Sequence, residues 1–310
     1  DQTDVNSFGL LEPKADGFGD FASTTAALSN GSSIKFVNKI LFPHSLGIFY
    51  QAFTQFLGFK NYGDEYKIMG LSGYGKNNFK NEVSEVIKLN KKSYKLNLKY
   101  FNHHVSNIDM KWENQSPKFE NLYNDNLVKL FKYNFQGNRI TETHADLAYS
   151  VQNKYEEIIL KYIKYFKNLY NLDYLSLSGG CAMNSLANGK IIENLNFKDV
   201  YIPPAPGDSG GAIGAAILCN NEFNFISGNK FYESPYLGND LDEKSLEQII
   251  NLKIENKTDV EKIEYEKINS EEILVSKVSK YLANNKVVGW FQNRMEWGPR
   301  ALGNRSILAN

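Results

Sequence analysis

Tyr174-Leu-Ser-Leu-Ser-Gly-Gly-Cys-Ala-Met-Asn184 runs from a short apolar segment through a glycine turn into a helix-forming one. Residues 174–177 read as a buried strand, Ser178-Gly179-Gly180 as the turn, and 182–194 as the helix. The unit then recurs. Residues 200–202 make a strand, 203–211 a Pro/Gly loop holding Pro206-Gly-Asp-Ser-Gly-Gly211, and 212–219 a small-residue helix. Strand, glycine loop and helix in repetition predict an α/β layer with ligands at the carboxyl ends of the strands. Each turn also offers backbone N–H groups and a positive helix end to a phosphate. Gly179, Gly180, Gly207 and Gly210 are therefore candidate nucleotide-binding positions, with Asn184 available to hydrogen-bond the ligand.

Upstream, Asp16-Gly-Phe-Gly-Asp20 is a third glycine turn, 34–41 a strand, and 45–59 an aromatic-rich helix. A helix over 64–71 is stopped by Gly70, Gly73 and Gly75. Asn- and Lys-rich residues from about 77 to 136 read as an insertion with short strands such as 94–101. Leu147, Val151, Tyr155, Ile159, Tyr162 and Phe166 form one apolar stripe on a helix over 144–170. Residues 1–225 thus make a first domain and 226–269 a linker. A helix over 270–284 and a strand over 286–291 open a second α/β domain within 270–310. Carboxylates on glycine turns commonly orient a cation beside phosphates, which makes Asp16 and Asp208 candidate metal ligands.

Bulk composition narrows the choice. The 310 residues are 42% hydrophobic and 23% charged, a globular balance. Thirty-five cations against 35 anions give no net charge, which argues against nucleic acid or an anionic membrane as partner. Cys181 and Cys219 lack the spacing of a zinc or redox pair, and no apolar run approaches the roughly 18 residues of a membrane span. Cytoplasm is the expected compartment. A chain running from Asp1 to Asn310 reads as a fragment, expected to be inactive alone.

Two motifs mislead. Gly70 to Lys76 fits the G-x-x-x-x-G-K skeleton of a phosphate loop, but Asn77 stands where Ser or Thr would hold Mg²⁺, and a helix precedes it. Gly207-Asp-Ser-Gly-Gly211 copies a serine-protease nucleophile loop without a suitable histidine upstream.

Arginine use is skewed. Of four arginines, Arg294, Arg300 and Arg305 fall within twelve residues, in Gly289-Trp-Phe-Gln-Asn-Arg294-Met-Glu-Trp-Gly-Pro-Arg300-Ala-Leu-Gly-Asn-Arg305-Ser306. Guanidinium groups grip phosphate and carboxylate oxygens bidentately, as lysine does not. This loop is expected to bind an anion, with the three arginines as catalytic candidates.

Taken in order, Phe42-Pro-His-Ser-Leu-Gly47, Gly63-Asp-Glu-Tyr-Lys-Ile-Met-Gly-Leu71, Leu177 to Asn184, Pro206 to Gly211, and Gly289 to Leu308 resemble the O-carbamoyltransferase family of the NodU/CmcH type. The resemblance runs from about Asp16 onward and is weakest over 77–136. It implies an actin-like ATPase (ASKHA, TsaD-like) domain lacking its N-terminal part, followed by the start of a YrdC-like α/β domain. The YrdC-like part is expected to make carbamoyl-adenylate from carbamoyl phosphate and ATP. The actin-like part would pass the carbamoyl group to a hydroxyl of a small acceptor such as a sugar. The resemblance also implies iron or another divalent metal held by Asp16, Asp208 and a histidine pair upstream of Asp1, with Mg²⁺ as a further candidate. By the same resemblance Glu65, Lys67 and Asn304 join the cofactor-binding positions, and a homodimer is a further expectation. Two rivals share the fold. A TsaD-like tRNA threonylcarbamoyltransferase predicts a more basic surface and no arginine loop. A non-enzymatic ATP-binding module leaves the arginines without a purpose.

Overall fold

A computed structural model describes residues 10–17, 21–30, 33–106, 110–112, 117–133, 135–136, 139–223, 234–240, 242–255 and 266–310. The chain divides into two compact units, 1–211 and 212–310.

Unit 1 is built on a five-stranded sheet. Its strands are β1 (Leu10–Ala15), β2 (Ala22–Ser29) and β3 (Ile34–Leu41), joined later by two more from the α/β repeat. β2 is rich in Ala, Ser and Thr and is buried along almost its whole length, as a strand covered on both faces must be. Between β3 and the repeat lie α1 (Leu46–Phe56), α2 (Glu65–Leu71), α3 (Lys80–Val86), the hairpins β4 (Ile87–Asn90)–β5 (Ser93–Leu96) and β6 (Met110–Lys111)–β7 (Lys118–Phe119), α4 (Asp125–Phe131) and α5 (Glu142–Tyr170). The repeat then supplies β8 (Tyr174–Ser176), α6 (Ser185–Leu195) and β9 (Asp199–Tyr201). Strand order is β3-β2-β1-β8-β9. β1, β2 and β3 pair antiparallel, whereas β1, β8 and β9 run parallel, with Leu11 opposite Leu175 and Leu175 opposite Val200.

Two helices contribute the largest shares of the core. Ser45 caps α1 by accepting the Ile48 N–H at 3.0 Å, and behind it Phe49, Phe53 and Phe56 are all buried. Phe53 and Phe56 stack edge-on or tilted against Phe131, and Phe56 also meets Phe135 and Tyr123. In α5 a reciprocal box of Thr141 and His144 closes the N-terminus, and Asn171 in the left-handed region ends the helix. Every residue of the predicted stripe, Leu147 through Phe166, is buried.

Residues 77–136, read as an insertion with short strands, contribute to the main core. Val83, Val86, Ile87, Tyr94, Leu96, Tyr100, Phe101 and Leu127 all enter the main core. Tyr94 goes furthest: its hydroxyl lies 2.6 Å from Thr24 Oγ1 on β2 and accepts the Leu46 N–H of α1 at 3.0 Å. Periodicity was weak here because short elements alternate with turns, so no window holds one period.

Unit 2 holds α7 (Gly211–Phe223, its first residue closing unit 1), α8 (Glu243–Glu255), α9 (Glu271–Ala283) and the antiparallel pair β10 (Val288–Phe291) and β11 (Arg305–Leu308). α8 is a full 13-residue helix inside the stretch expected to be a linker. Among the described residues no helix is long and apolar enough to cross a membrane.

Candidate functional site

The parallel strands β1, β8 and β9 deliver three turns to one end of the unit 1 sheet. After β1, the Asp16 N–H donates to the Ser23 carbonyl at 2.8 Å and the Asp16 carbonyl accepts the Ser45 hydroxyl at 3.0 Å. Its own carboxylate accepts the Gly17 N–H at 2.7 Å, and Lys14 Nζ stands 4.0 Å away. After β8, the Ser178 carbonyl accepts the Ala15 N–H at 3.1 Å, and the Gly179 N–H donates to the Pro206 carbonyl at 2.7 Å. The middle turn is thus laced to both of its neighbours.

Main chain packs here so closely that side chains are excluded. A Cβ on Gly179 would lie 2.1 Å from the Ala15 carbonyl oxygen, and one on Gly47 2.8 Å from that of Asp16. Gly179 also adopts φ 92° and ψ 161°, a region open in practice to glycine alone. A Cβ on Gly210 would meet the Ala205 carbonyl oxygen at 2.1 Å, and one on Gly207 the Met183 methyl at 2.8 Å. Gly180 faces the first turn, where its Cβ would stand 3.3 Å from Asp16 Oδ1.

Acidic groups gather around these turns. Asp208 is exposed at the head of a short 3₁₀ turn, Asp208–Gly210. The Tyr62 phenol is held above its usual value first by burial and then by the carboxylates of Glu65, Asp208 and Asp16. Burial, followed by the Asp16 charge, pushes the Cys181 thiol up as well. Asp16, Asp208 and Glu65 thus share one neighbourhood, with Tyr62 among them. Tyr62 was missed in the sequence, where it precedes a quoted motif by one residue. Among the described residues, no group of three or more His, Cys, Asp or Glu side chains is arranged to hold a metal ion. Asp16 and Asp208 are hard oxygen donors of the kind divalent cations take, but two such donors do not complete a site.

Other expected ligand-binding side chains serve the protein itself. Asn184 is buried, caps α6 by accepting the Ala187 N–H at 3.0 Å, and exchanges two hydrogen bonds with Gln152. Lys67 pairs with buried Asp64 at 2.7 Å, a bond that raises its ammonium above the usual range. Asp146 on α5 explains the phosphate-loop look-alike. Its carboxylate accepts the Lys76 N–H at 2.8 Å and the Asn78 amide at 2.7 Å, so an anion already fills that cradle. Gly75 is there because a Cβ would fall 2.0 Å from the Ala145 carbonyl oxygen. Two surface depressions of unit 1, one beside Asn102 and Asn124 and one between Leu89 and Tyr165, include no residue of the glycine turns.

In unit 2 the arginine loop is organised around buried Glu296. One carboxylate oxygen accepts the N–H groups of Leu302, Asn304 and Arg305 at 2.8, 2.8 and 3.1 Å. Burial opposes ionisation, yet backbone donors including these three lower its pKa to about 2. Arg305 lies over the Phe291 ring, 3.4 Å from its centroid, and donates to the carbonyls of Gln292, Asn293 and Asn304. Arg294 donates to the Gly238 carbonyl at 3.0 Å, and Arg300 is half-buried. Asn304 is buried, bonding the Arg294 carbonyl and the Gln292 amide. Nothing in residue spacing singled out Glu296.

Comparison with known proteins bears on both units. The carbamoyltransferase N-terminus model matches residues 14–217, and the carbamoyltransferase C-terminus model matches 279–310. A Synechocystis protein without an assigned function is 34% identical over 304 residues, covering 95% of this chain and 46% of that protein. Nodulation protein NolNO of Sinorhizobium fredii is 30% identical over 303 residues, 95% of this chain and 39% of its own. The 3'-hydroxymethylcephem-O-carbamoyltransferase of Streptomyces clavuligerus is 32% identical over 136 residues, 44% of this chain and 22% of its own. This chain spans less than half the length of these relatives. With the N-terminal model alone matching well over half of its 310 residues, the chain belongs to the carbamoyltransferase family, of the type that includes the nodulation and cephem-carbamoylating proteins.

Proposed function

We propose that this chain is part of an ATP-dependent O-carbamoyltransferase. Carbamoyl phosphate, ATP and water give carbamoyl-adenylate, inorganic phosphate and pyrophosphate, and the carbamoyl group then passes to a hydroxyl of a sugar or other small metabolite. One observation carries the reading: three glycine turns meet at the carboxyl ends of β1, β8 and β9, with Asp16, Asp208 and Glu65 beside them. Sheet order supports an actin-like nucleotide-binding unit, antiparallel on one side of β1 and parallel on the other.

The parts divide the work as follows. Main-chain N–H groups of the turns receive phosphate oxygens, and the missing Cβ atoms let the turns pack main chain against main chain so that these groups converge. In the transfer step, the oxygen of the acceptor hydroxyl attacks the carbamoyl carbon and its proton passes to solvent. The bond from that carbon to the adenylate oxygen breaks, and AMP leaves with the electron pair. Because AMP departs as an anion, fixed donors around it lower the barrier. A divalent cation, when bound, would polarise the carbamoyl oxygen; Asp16 and Asp208 are the oxygen donors this chain offers it. Arg300, with Arg294 and Arg305, is assigned to the anion handled by the second domain.

Full-length protein incubated with carbamoyl phosphate, ATP and a panel of hydroxylated acceptors tests this. Pyrophosphate release and a carbamoylated product are expected. Neither appearing across the panel would sink the assignment. Arg300→Ala should abolish adenylate formation with the fold intact, and unchanged turnover would remove that arginine from the mechanism.

A further inference from the structure

α5 has a polar edge that its apolar stripe conceals. Gln152, on the face that also presents Tyr155, is buried with every polar atom engaged. Its carbonyl accepts the Tyr50 hydroxyl of α1 at 2.6 Å and the Asn184 amide at 2.8 Å. Its own amide donates to Asn184 Oδ1 at 2.9 Å and to Glu156 Oε1 at 2.8 Å. Glu156, also buried, is paired with Lys190 of α6. Three residues further along α5, the Tyr155 hydroxyl donates to the Cys181 carbonyl at 2.7 Å. The turn between β8 and α6 is therefore gripped twice from below by one rigid helix, at Cys181 and at Asn184.

We propose that Gln152 is a positioning residue for the bound nucleotide, acting through Asn184 to hold the 178–184 turn in its anion-receiving geometry. The inference rests on the functional reading above and adds a residue to it. Only one orientation of the Asn184 amide serves both neighbours. Oδ1 must face the Ala187 N–H to cap α6, and this leaves Nδ2 to face the Gln152 carbonyl. Gln152 is in turn fixed by Glu156, an acceptor only, and by Tyr50. A side chain without this donor–acceptor pair releases the Asn184 amide and, with it, the N–H groups at the head of α6. Burial of the whole set makes each missing partner costly.

The test uses full-length protein. Gln152→Leu removes both hydrogen bonds to Asn184, with those to Tyr50 and Glu156, at similar volume, and Gln152→Glu sets an acceptor against Asn184 Oδ1. Asn184→Asp keeps a good helix cap but no longer donates to Gln152. All three variants are expected to raise KM for added carbamoyl-adenylate in the transfer step about tenfold or more while kcat changes much less, the pattern of lost binding geometry. Gln152→Asn, which keeps the amide but shortens its reach, should recover part of the loss. An active wild type beside a Gln152→Leu variant with unchanged KM would overturn the inference alone. A wild type that neither binds ATP nor transfers carbamoyl groups overturns the functional reading and this inference with it. Should Gln152→Leu fail to fold, the KM of Asn184→Asp decides by the same criterion.

Discussion

The candidate anion sites of the two units are built of opposite materials. In unit 1 the candidate site is main chain, pressed together where Gly47, Gly179 and Gly210 leave no room for a Cβ. In unit 2 it is a loop bearing three arginines, shaped by a carboxylate. Their interiors differ in the same sense. Unit 1 buries an extended apolar core, whereas the buried side chains among the described residues of unit 2 are the polar pair Glu296 and Asn304. A backbone-built site is protected by the packing of the whole unit. The loop depends on one acidic side chain, whose three N–H partners are the groups a phosphate would otherwise seek. Anchoring donors on an internal carboxylate keeps the loop closed on itself.

The sharpest way to break this contrast is Gly179→Ala. A methyl there meets the Ala15 carbonyl and needs a backbone region alanine avoids, so unit 1 should lose about 3 kcal/mol or more in a urea titration. Gly180→Ala, which meets only the Asp16 carboxylate at 3.3 Å, should leave the melt close to wild type. Equal effects would mean that close backbone packing is not what defines the turn.

Acid should separate the units next. The Glu296 carboxyl titrates near 2 in the folded loop against about 4.3 unfolded, so it binds protons less readily when folded. Its contribution to stability is full above about 4.3 and is lost as pH falls toward 2. Fluorescence of Trp290 and Trp297 should report loosening of unit 2 in that window, and Glu296→Gln should remove the pH dependence. A transition unchanged by that substitution would assign it elsewhere.

Arg305→Lys tests a smaller term. Lysine keeps the charge but neither spans three carbonyls nor lies flat on Phe291, and unit 2 should weaken by about 1–2 kcal/mol. Retained stability with lost adenylate formation would show that Arg305 serves the substrate rather than the loop. Smallest of all, the two thiols should differ in rate. Cys219 is exposed and Cys181 is raised by burial and by Asp16, so one thiol should react quickly with an aromatic disulfide at pH 8 and the other slowly.

Much of this was legible from residue order. The α/β repeat from Tyr174 to Gly211 and the stripe on α5 follow from local patterns that one window can hold, and both stand in the structure. Asp16 and Asp208 could be marked because a carboxylate in a glycine turn is a local signal. That they share a neighbourhood with Glu65 and Tyr62 is a product of the sheet, which joins strands more than 150 residues apart. Asn184 shows the limit most clearly. Its place after the glycines suggested a ligand contact, but its partner Gln152 lies 32 residues back, hidden among apolar neighbours on a helix. The role of residues 77–136 in the core was hidden for a related reason, since Tyr94 ties them to β2 and α1 through one hydroxyl that no periodicity marks.

A site made of backbone also has a bearing on descent. Side chains on the surface around the three turns can drift without altering the close main-chain packing at Gly47, Gly179 and Gly210, provided that the Asn184–Gln152 pair beneath the middle turn is kept. Selection on such a turn acts on absence, namely the hydrogen in place of a methyl at a few positions. Under the function proposed above, acceptor preference is then free to change through substitutions elsewhere on the surface while the turns stay as they are.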